Sequence, residues 1–221
     1  YFELEGKYVS PDNNWLAFSV DTLSRRFYTI YIKNLITGDI LNHSIPNTEG
    51  DVAWANDNET IFYTTKNKTT LLSEKIYRHN IYTESKEDVV VYQEADNEFY
   101  IGVYRSKSGK YIIIWNSSTL VSDYHILRSD DPEGEFINFT PRRNDHEYSI
   151  EHHNENFYIM TNWEAQNNRL MITSESATNI FNWKEIIPHR NKIHLMDVDA
   201  FKNHIVLNER VDGISKLRVI N

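Results

Sequence analysis

A short apolar segment that recurs at nearly constant spacing constrains the fold of this chain more than any other feature. Its five copies lie at residues 16–20, 61–65, 111–115, 157–161 and 204–208, so their starts are 45, 50, 46 and 47 residues apart. Each copy follows a polar stretch containing Asn, Asp or Gly, the residue types that most readily adopt the positive φ of tight turns. The pattern therefore predicts a strand, a tight turn and a second strand, five times over.

Two further strands are predicted in most of these units. A third strand begins near Tyr28, Glu74, Asp123, Arg169 and Ser215, which is 12, 13, 12, 12 and 11 residues after the start of the second. Apolar and polar residues alternate in residues 28–32 and 75–79, as expected of half-buried strands. A fourth strand is predicted at residues 39–45, 88–92, 135–140 and 183–187, and the fifth unit stops at Asn221 after its third strand.

Four strands in every 45 to 50 residues are typical of β-propeller blades. The chain is therefore predicted to be all-β, a single partial β-propeller domain over residues 1–221 with about five four-stranded antiparallel blades. A sandwich or one large barrel is the alternative, but its strands would not recur so regularly. The predicted blades lie at about residues 6–45, 50–92, 98–140, 147–188 and 193–221, the last being incomplete.

An arc of blades differs from a closed propeller because its two outer faces have no neighbouring blade. Apolar residues on such faces, for example Leu16, Phe18, Ile205 and Leu207, are expected to be left uncovered. The third strand of the last blade is likewise expected to be an edge with unpaired backbone groups. We therefore expect the chain to self-associate through open blade faces or edge strands.

Composition and charge exclude several classes of partner and site. The net charge is -9, and no Lys/Arg cluster suggests nucleic-acid binding. No apolar run approaches the roughly 18 residues of a membrane-spanning helix. The absence of cysteine excludes disulfides and thiolate chemistry. We expect a cytoplasmic location, while the first residue, Tyr1, suggests an excised domain and leaves periplasmic or exported locations open.

Several stretches carry a resemblance to a known family. The turn Ser10-Pro11-Asp12 is a general signal of peptidase and TolB-type propellers, and residues 23–28, 33–38, 54–57, 70–72 and 77–79 are more specific. The most specific is Pro-Arg-Arg-Asn-Asp-His-Glu-Tyr-Ser at residues 141–149. In this order and spacing they resemble the propeller of the prolyl oligopeptidase family of serine peptidases, in its oligopeptidase B (protease II) branch, over essentially all 221 residues.

The resemblance implies a parent protein in which a seven-bladed propeller accompanies an α/β-hydrolase domain. Such serine endopeptidases cut short peptides after Arg or Lys with a Ser-Asp-His triad, and the propeller is thought to cover the active site and exclude large substrates. The implied partners are the hydrolase domain and short basic peptides. No triad residue has a counterpart here, so the chain alone is expected to be inactive. The alternative is a stand-alone TolB-like propeller that binds proteins.

The chain offers no convincing catalytic or metal motif. The string nearest to a Gly-x-Ser-x-Gly elbow ends in Leu217 in place of the second glycine, and Ser215 belongs to a predicted strand. His146-Glu147 resembles the start of a zinc-protease motif, but Ile150 stands where the second histidine should be. His146 and the adjacent pair at 152–153 are interpreted as solvated or turn histidines. No catalytic residue, metal or cofactor is therefore predicted.

Charged residues in two connections are the candidates for a functional site. The first connection joins the third and fourth predicted blades, and the second lies within the first blade. One interpretation is a substrate-channel or inter-domain contact, in which arginines pair with carboxylates and acidic residues meet a cationic substrate. The other is a structural network in which these charges satisfy one another and the neighbouring backbone. The candidates are Arg142, Arg143, Asp145, His146, Glu147, Arg25 and Arg26.

Overall fold

The computed structural model describes residues 1–220, whose regular structure is almost entirely β-strand. Two short 3₁₀ turns lie at Ser85–Glu87 and Ile180–Asn182. The strands are β1 (Glu3–Val9), β2 (Trp15–Asp21), β3 (Tyr28–Asn34), β4 (Ile45–Trp54), β5 (Thr60–Lys66), β6 (Ser73–Asn80), β7 (Val89–Gln93), β8 (Tyr100–Arg105), β9 (Tyr111–Ser117), β10 (Ser122–Arg128), β11 (Ile137–Asn138), β12 (Tyr148–His153), β13 (Asn156–Thr161), β14 (Arg169–Ser174), β15 (Lys184–Ile187), β16 (Ile193–Ala200), β17 (Ile205–Val211) and β18 (Ile214–Ile220).

The strands form sheets in which sequence neighbours are paired. One sheet contains β1 to β7 in order, and the others contain β8 to β11, β12 to β15, and β16 to β18. All five predicted second strands are present as β2, β5, β9, β13 and β17, and the third strands begin within one residue of their predicted starts. The predicted fold class is confirmed in these antiparallel units. The exact blade bounds stay a prediction.

The turns between first and second strands have the backbone that their residues suggested. A residue with positive φ lies in four of the five, namely Asn13, Asn58, Gly109 and Asn154. In the first turn, the Asp12 carboxylate accepts from the Ser10 hydroxyl at 2.6 Å and from the backbone N–H of Asn14 at 3.0 Å. Local side-chain hydrogen bonds of this kind stabilise tight turns and so set the pairing of the strands that follow.

No strand spans residues 39–45 as predicted; only an isolated antiparallel bridge between Ile40 and Lys33 and the first residue of β4, Ile45, lie there. A turn precedes the segment, since the Asn34 side chain accepts from the N–H of Ile36 and Thr37, and Gly38 has a φ of 84°. β3 pairs instead with the first residues of β4, where Ile45 lies opposite Ile30. The later part of β4 pairs with β5. Because one long strand serves both neighbours, the first two predicted blades share a single seven-stranded sheet.

The chain divides into two compact units, each with its own apolar core. The first unit comprises Tyr1–Arg105, Gly109–Asn116 and His125–Ile137, and the second comprises Ser106–Ser108, Ser117–Tyr124 and residues 138–220 of the described part of the chain. In the first unit the core is built from β-branched and aromatic residues of the central strands, including Ile61, Phe62, Ile112 and Ile114. In the second it contains Leu170, Ile187, Leu195, Val198 and Leu207.

One residue expected on an open face lies elsewhere. Leu207 is fully buried, because it faces the core of the second unit, where Leu170 and Leu195 also pack. The exposed apolar residues near the end of the chain are instead on β18, where Leu217 is 74% and Val219 61% exposed. Leu16, Phe18 and Ile205 are half-buried.

Candidate functional site

Five of the candidate residues lie in the connection between β11 and β12, at one edge of the second unit. This connection is fixed to the loop between β13 and β14 by paired backbone and side-chain hydrogen bonds. The N–H of Glu147 donates to Asn162 Oδ1 at 2.9 Å, and the N–H of Asn162 donates to the Glu147 carbonyl at 3.0 Å. Asp145 is exposed and has a φ of 52°, as a turn residue would. The connection and the loop therefore present one continuous polar surface.

Arg142 anchors this connection through a charge pair. Its Nε donates to Oδ2 of Asp123, a carboxylate that is almost wholly shielded from solvent, whereas the Arg142 side chain is one-third exposed. The negative charge of Asp123 also affects the neighbouring phenols: burial first, and then this charge, raises the pKa of Tyr124 to about 12. Arg142 thus neutralises a buried carboxylate that would otherwise be costly.

The guanidinium of Arg143 lies over the ring of Trp163, 5.6 Å from the ring centroid. A second arginine, Arg169, lies 5.2 Å from the same centroid and also contacts Glu185, Nη1 to Oε2, at 3.3 Å. Arg143 is exposed, so its hydrogen-bonding groups face solvent while the ring restrains the side chain. This places a cation and an indole side by side on the surface of the second unit.

His146 is a packing residue, which corrects its interpretation as a solvated or turn histidine. It is 4% exposed, its ring stacks on Tyr148 at 4.9 Å between centroids, and Nε2 lies 2.9 Å from the Thr161 hydroxyl. Burial, and secondly the charge of Arg143, lower the pKa of His146 to about 4. The imidazole is therefore neutral near pH 7.

The pair at 152–153 divides between two faces of β12, as adjacent strand residues must. His152 is buried, with Nδ1 2.8 Å from the Ser108 hydroxyl and Nε2 3.2 Å from a Glu175 oxygen, so the solvated interpretation is wrong for it too. His153 is half-buried on the other face. Within residues 1–220, no group of three or more His, Asp or Glu side chains is arranged to hold a metal.

Arg25 and Arg26 lie in the first unit, in the loop after β2. Their backbone N–H groups donate to Oδ2 of the buried Asp21 at 2.8 and 2.7 Å, and the Arg26 carbonyl accepts from Lys66 Nζ at 2.9 Å. Both residues are exposed. The loop is therefore fixed through its backbone, while both arginine side chains extend from it.

A cleft of about 450 Å³ lies beside the Glu147–Asn162 contact in the second unit. Its lining is mainly hydroxyl and amide groups and includes Gln166, Asn168 and His194. Asn168 is fixed by donating to the Leu195 carbonyl at 2.9 Å. Amide and hydroxyl groups of this kind bind peptide backbone by hydrogen bonds.

The cleft contains a serine that is not placed for nucleophilic chemistry. The Ser122 hydroxyl donates to the carbonyl of Tyr148 at 2.8 Å and accepts from its N–H at 2.7 Å. A serine nucleophile requires a hydrogen-bonded base, commonly histidine. Ser122 is therefore a structural bridge between β10 and β12, while Ser215 lies within β18 as the sequence predicted.

Sequence reasoning missed three residues that contact or neighbour the candidate arginines: Asp123, Trp163 and Arg169. The sequence pattern indicates Asp123 only as the start of a strand. Its pairing with Arg142 joins positions 19 residues apart. Trp163 lies two residues after the end of a second strand, and Arg169 begins the third strand of the same blade. A large aromatic residue in a short polar loop was the available signal, since such residues are rarely placed in loops without a packing partner.

Comparisons with known proteins agree over the whole chain. The family described as prolyl oligopeptidase, N-terminal β-propeller domain, matches residues 1–221. Dipeptidyl aminopeptidase BI of Pseudoxanthomonas mexicana is 35% identical over 221 residues, covering 100% of this chain and 30% of that protein. Protease 2 of Moraxella lacunata is 25% identical over 223 residues, covering 100% and 32% respectively. The chain spans about a third of the length of these curated relatives.

Solved structures show the same fold. Oligopeptidase B from Leishmania major matches with a TM-score of 0.91 and 23% identity, over 99% of this chain and 31% of that one. Oligopeptidase B from Trypanosoma brucei, in a closed form with covalently bound antipain, matches with a TM-score of 0.89 and 28% identity, again over 99% and 31%.

Proposed function

Because the chain belongs to the prolyl oligopeptidase family, as one of its N-terminal β-propeller domains, we propose that it covers the active site of an α/β-hydrolase domain in a longer serine peptidase. One observation carries the proposal: the propeller-domain family matches all 221 residues of this chain, and the chain spans about a third of the length of its peptidase relatives. It favours the peptidase propeller over a stand-alone TolB-like binding protein. Covering the active site would admit short peptides and exclude folded proteins.

We propose the connection at residues 141–147 as part of the contact with the hydrolase domain or with peptides passing it. Arg143 supports this, because it is exposed, restrained by Trp163 and available to a carboxylate. Asp145 and Glu147 add exposed negative charge that suits a cationic peptide. Arg142 and His146 are assigned to holding the connection in place.

Cleavage after Arg or Lys is the substrate specificity that we propose for the longer protein, because two of the similar structures are named oligopeptidase B. A second candidate is removal of dipeptides, because the relative that is 35% identical is named dipeptidyl aminopeptidase BI. Mass spectrometry of products from an arginine-containing decapeptide distinguishes them. An endopeptidase cuts after arginine irrespective of its position, whereas a dipeptidyl aminopeptidase releases two residues at a time from the amino end.

The test of the covering role compares the longer protein with this chain. The chain alone is expected to release no product from arginyl or lysyl reporter peptides, because it contains no nucleophile elbow. In the longer protein, Arg143→Ala is expected to accelerate cleavage of a large unfolded protein relative to a short peptide. Unchanged size selectivity in that variant, or inhibitor-sensitive turnover by the chain alone, contradicts the proposal.

Self-association and a cytoplasmic location are also proposed for the chain. Leu217 and Val219 on β18 are exposed apolar residues on a strand that pairs only with β17 in its sheet. An exposed apolar edge favours addition of a strand from a second copy. Sedimentation over a range of concentrations is expected to show dimers that Leu217→Lys weakens; a monomer throughout contradicts the proposed self-association.

Cell fractionation tests the proposed cytoplasmic location. Within residues 1–220, no helix has the length and apolar character needed to cross a bilayer.

A further inference from the structure

A second pocket, of about 320 Å³, lies in the first unit beside strands β4 and β8. Two carboxylates, Glu49 and Asp51, line it together with Ser73 and the ring of Trp115. It shares no residue with the cleft beside Glu147. This combination of negative charge and an aromatic wall is chemically different from the amide-lined cleft.

An irregularity in β4 brings both carboxylates to the pocket. The pairing of β4 with β5 shifts between Thr48 and Val52, and Gly50 has a φ of 99°. A Cβ at Gly50 would also come within 2.8 Å of the Ser19 hydroxyl, so glycine is required there. The shift is the kind of local distortion that redirects side chains within a strand.

The two carboxylates differ in how their charge is balanced. Glu49 is neutralised by Lys66, whose Nζ lies 2.6 Å from Oε2, and it also accepts from the Ser73 hydroxyl. Asp51 receives only neutral donors, since its Oδ2 accepts from the Thr64 hydroxyl at 2.7 Å and from the Val103 N–H at 2.9 Å. Its Oδ1 is shielded from solvent and has no hydrogen-bond partner. Asp51 thus contributes to the pocket lining a carboxylate that has no counter-ion and one unsatisfied oxygen.

The pKa of Asp51 agrees with the lack of a counter-ion beside its carboxylate. Burial raises the pKa of its carboxyl, partly opposed by the two donors, and the charge of Glu49 raises it further. Burial, and secondly the charge of Asp51, raise the pKa of Tyr8 as well. A cation bound beside Asp51 would lower the pKa of both groups.

Two aromatic residues of the lining, Trp115 and Tyr100, suit a flat cation. The Trp115 indole packs so closely on β8 that a Cβ at Gly102 would come within 2.5 Å of its Nε1. Tyr100 is 58% exposed and also lines the pocket. Aromatic faces attract cations, and a guanidinium stacks on them while it donates to carboxylates. No group of three metal-binding side chains occurs within the described residues 1–220, so an organic cation fits the pocket better than a metal ion.

We propose that this pocket binds the guanidinium group of an arginine side chain in a peptide, with the Asp51 carboxylate as its principal charge partner and Trp115 as its stacking surface. Glu49, which is already paired with Lys66, is the second carboxylate of the lining. The site is separate from the scissile-bond specificity proposed above and does not depend on it. It provides the propeller with its own means of holding a basic peptide.

The test titrates the chain with Nα-acetyl-arginine amide, which carries one guanidinium and no other charge, and follows tryptophan fluorescence and calorimetric heat. Saturable binding is expected, and Nα-acetyl-citrulline amide, an uncharged analogue of similar shape, is expected to bind at least tenfold more weakly. Asp51→Asn is expected to weaken arginine binding at least tenfold. Glu87→Gln, the same charge change at an exposed position away from the pocket, is expected to leave it unchanged.

A second variant keeps the test valid if Asp51→Asn does not fold, as circular dichroism would reveal. Glu49→Gln leaves Lys66 as an unbalanced cation near the pocket and is also expected to weaken binding at least tenfold. Equal binding of the arginine and citrulline amides, the absence of saturable binding, or unchanged affinity in a folded Asp51→Asn or Glu49→Gln protein each overturns the proposal.

Discussion

Two aspartates, one in each unit, show how the same side chain takes different roles according to its donors. Asp123 in the second unit is paired with the guanidinium of Arg142, and its charge is cancelled. Asp51 in the first unit accepts only from a hydroxyl and a backbone N–H, and one oxygen has no partner. The first arrangement fixes a connection, whereas the second leaves a carboxylate without a counter-ion. Burial alone does not separate the two cases, but the identity of the donors does.

The largest effect is expected when an aspartate is introduced at a buried position where no group donates a hydrogen bond to its carboxylate. Ile113 is fully buried in β9. Ile113→Asp is expected to abolish folding, because an unpaired buried charge costs several kcal/mol, comparable to a total stability of roughly 5–15 kcal/mol. Circular dichroism and urea denaturation measure this, with Ile113→Val as the control at about 1 kcal/mol. A cooperatively folded Ile113→Asp protein would contradict the burial of the repeated segment.

The success of the sequence in locating this segment has a physical reason. Turn residues and alternation act locally, so β2, β5, β9, β13 and β17 could be predicted without knowing any distant contact. The fourth strand predicted at 39–45 is reduced to a bridge at Ile40 after the turn begun by Asn34, and the later pairing of β4 depends on the shift near Gly50. That geometry is decided by packing around β4 as a whole.

The candidate site was less predictable because its contacts join distant positions. The motif at 141–149 singled out this connection as a candidate, but it could not show that Arg142 would meet Asp123 or that Arg143 would lie on Trp163. His146 was misinterpreted because a polar connection suggested solvent, whereas its ring packs on Tyr148. The pocket at Asp51 carried no sequence signal, since it needs β8 to supply the Val103 N–H from 52 residues away.

The second prediction removes the cation from Asp123. Arg142→Met leaves a buried carboxylate without its charge partner, and breaking a fully buried pair costs roughly 3–5 kcal/mol. Because the Arg142 side chain is one-third exposed, we expect about 2 kcal/mol here. Urea denaturation checks the value, and Arg142→Met with Asp123→Asn should recover most of the loss. A double variant as unstable as the single one would show that the charge pair is not the cause.

The third prediction concerns Glu151, a carboxylate of the second unit whose Oε1 also lacks a partner. Burial raises its pKa to about 7; Lys107 opposes the shift, whereas Asp199 and Asp197 add to it. The folded state therefore binds the proton more tightly than the unfolded state, so stability present below about pH 4.5 is lost as the pH rises to about 7.

Glu151→Gln should remove this dependence and raise stability at pH 8 by about 1 kcal/mol, a value reduced because the side chain is partly exposed. Urea denaturation at pH 4.5, 6 and 8 measures it. Lys107→Met is the informative control, because removing the opposing cation should steepen the loss between pH 4.5 and 8. Parallel stability curves for wild type and Glu151→Gln would contradict the raised pKa.

The smallest effect is expected at Arg143, the neighbour of Arg142 in sequence and its opposite in environment. Arg143 is exposed and contributes a stacking contact to Trp163, where Arg169 stays as a second cation. Exposed contacts of this kind contribute about 0.5–1 kcal/mol, and the remaining arginine should compensate in part. Arg143→Ala is therefore expected to lower stability by less than about 0.5 kcal/mol. A loss equal to that of Arg142→Met in the same urea denaturation would mean that both arginines hold the connection, leaving neither available to a partner.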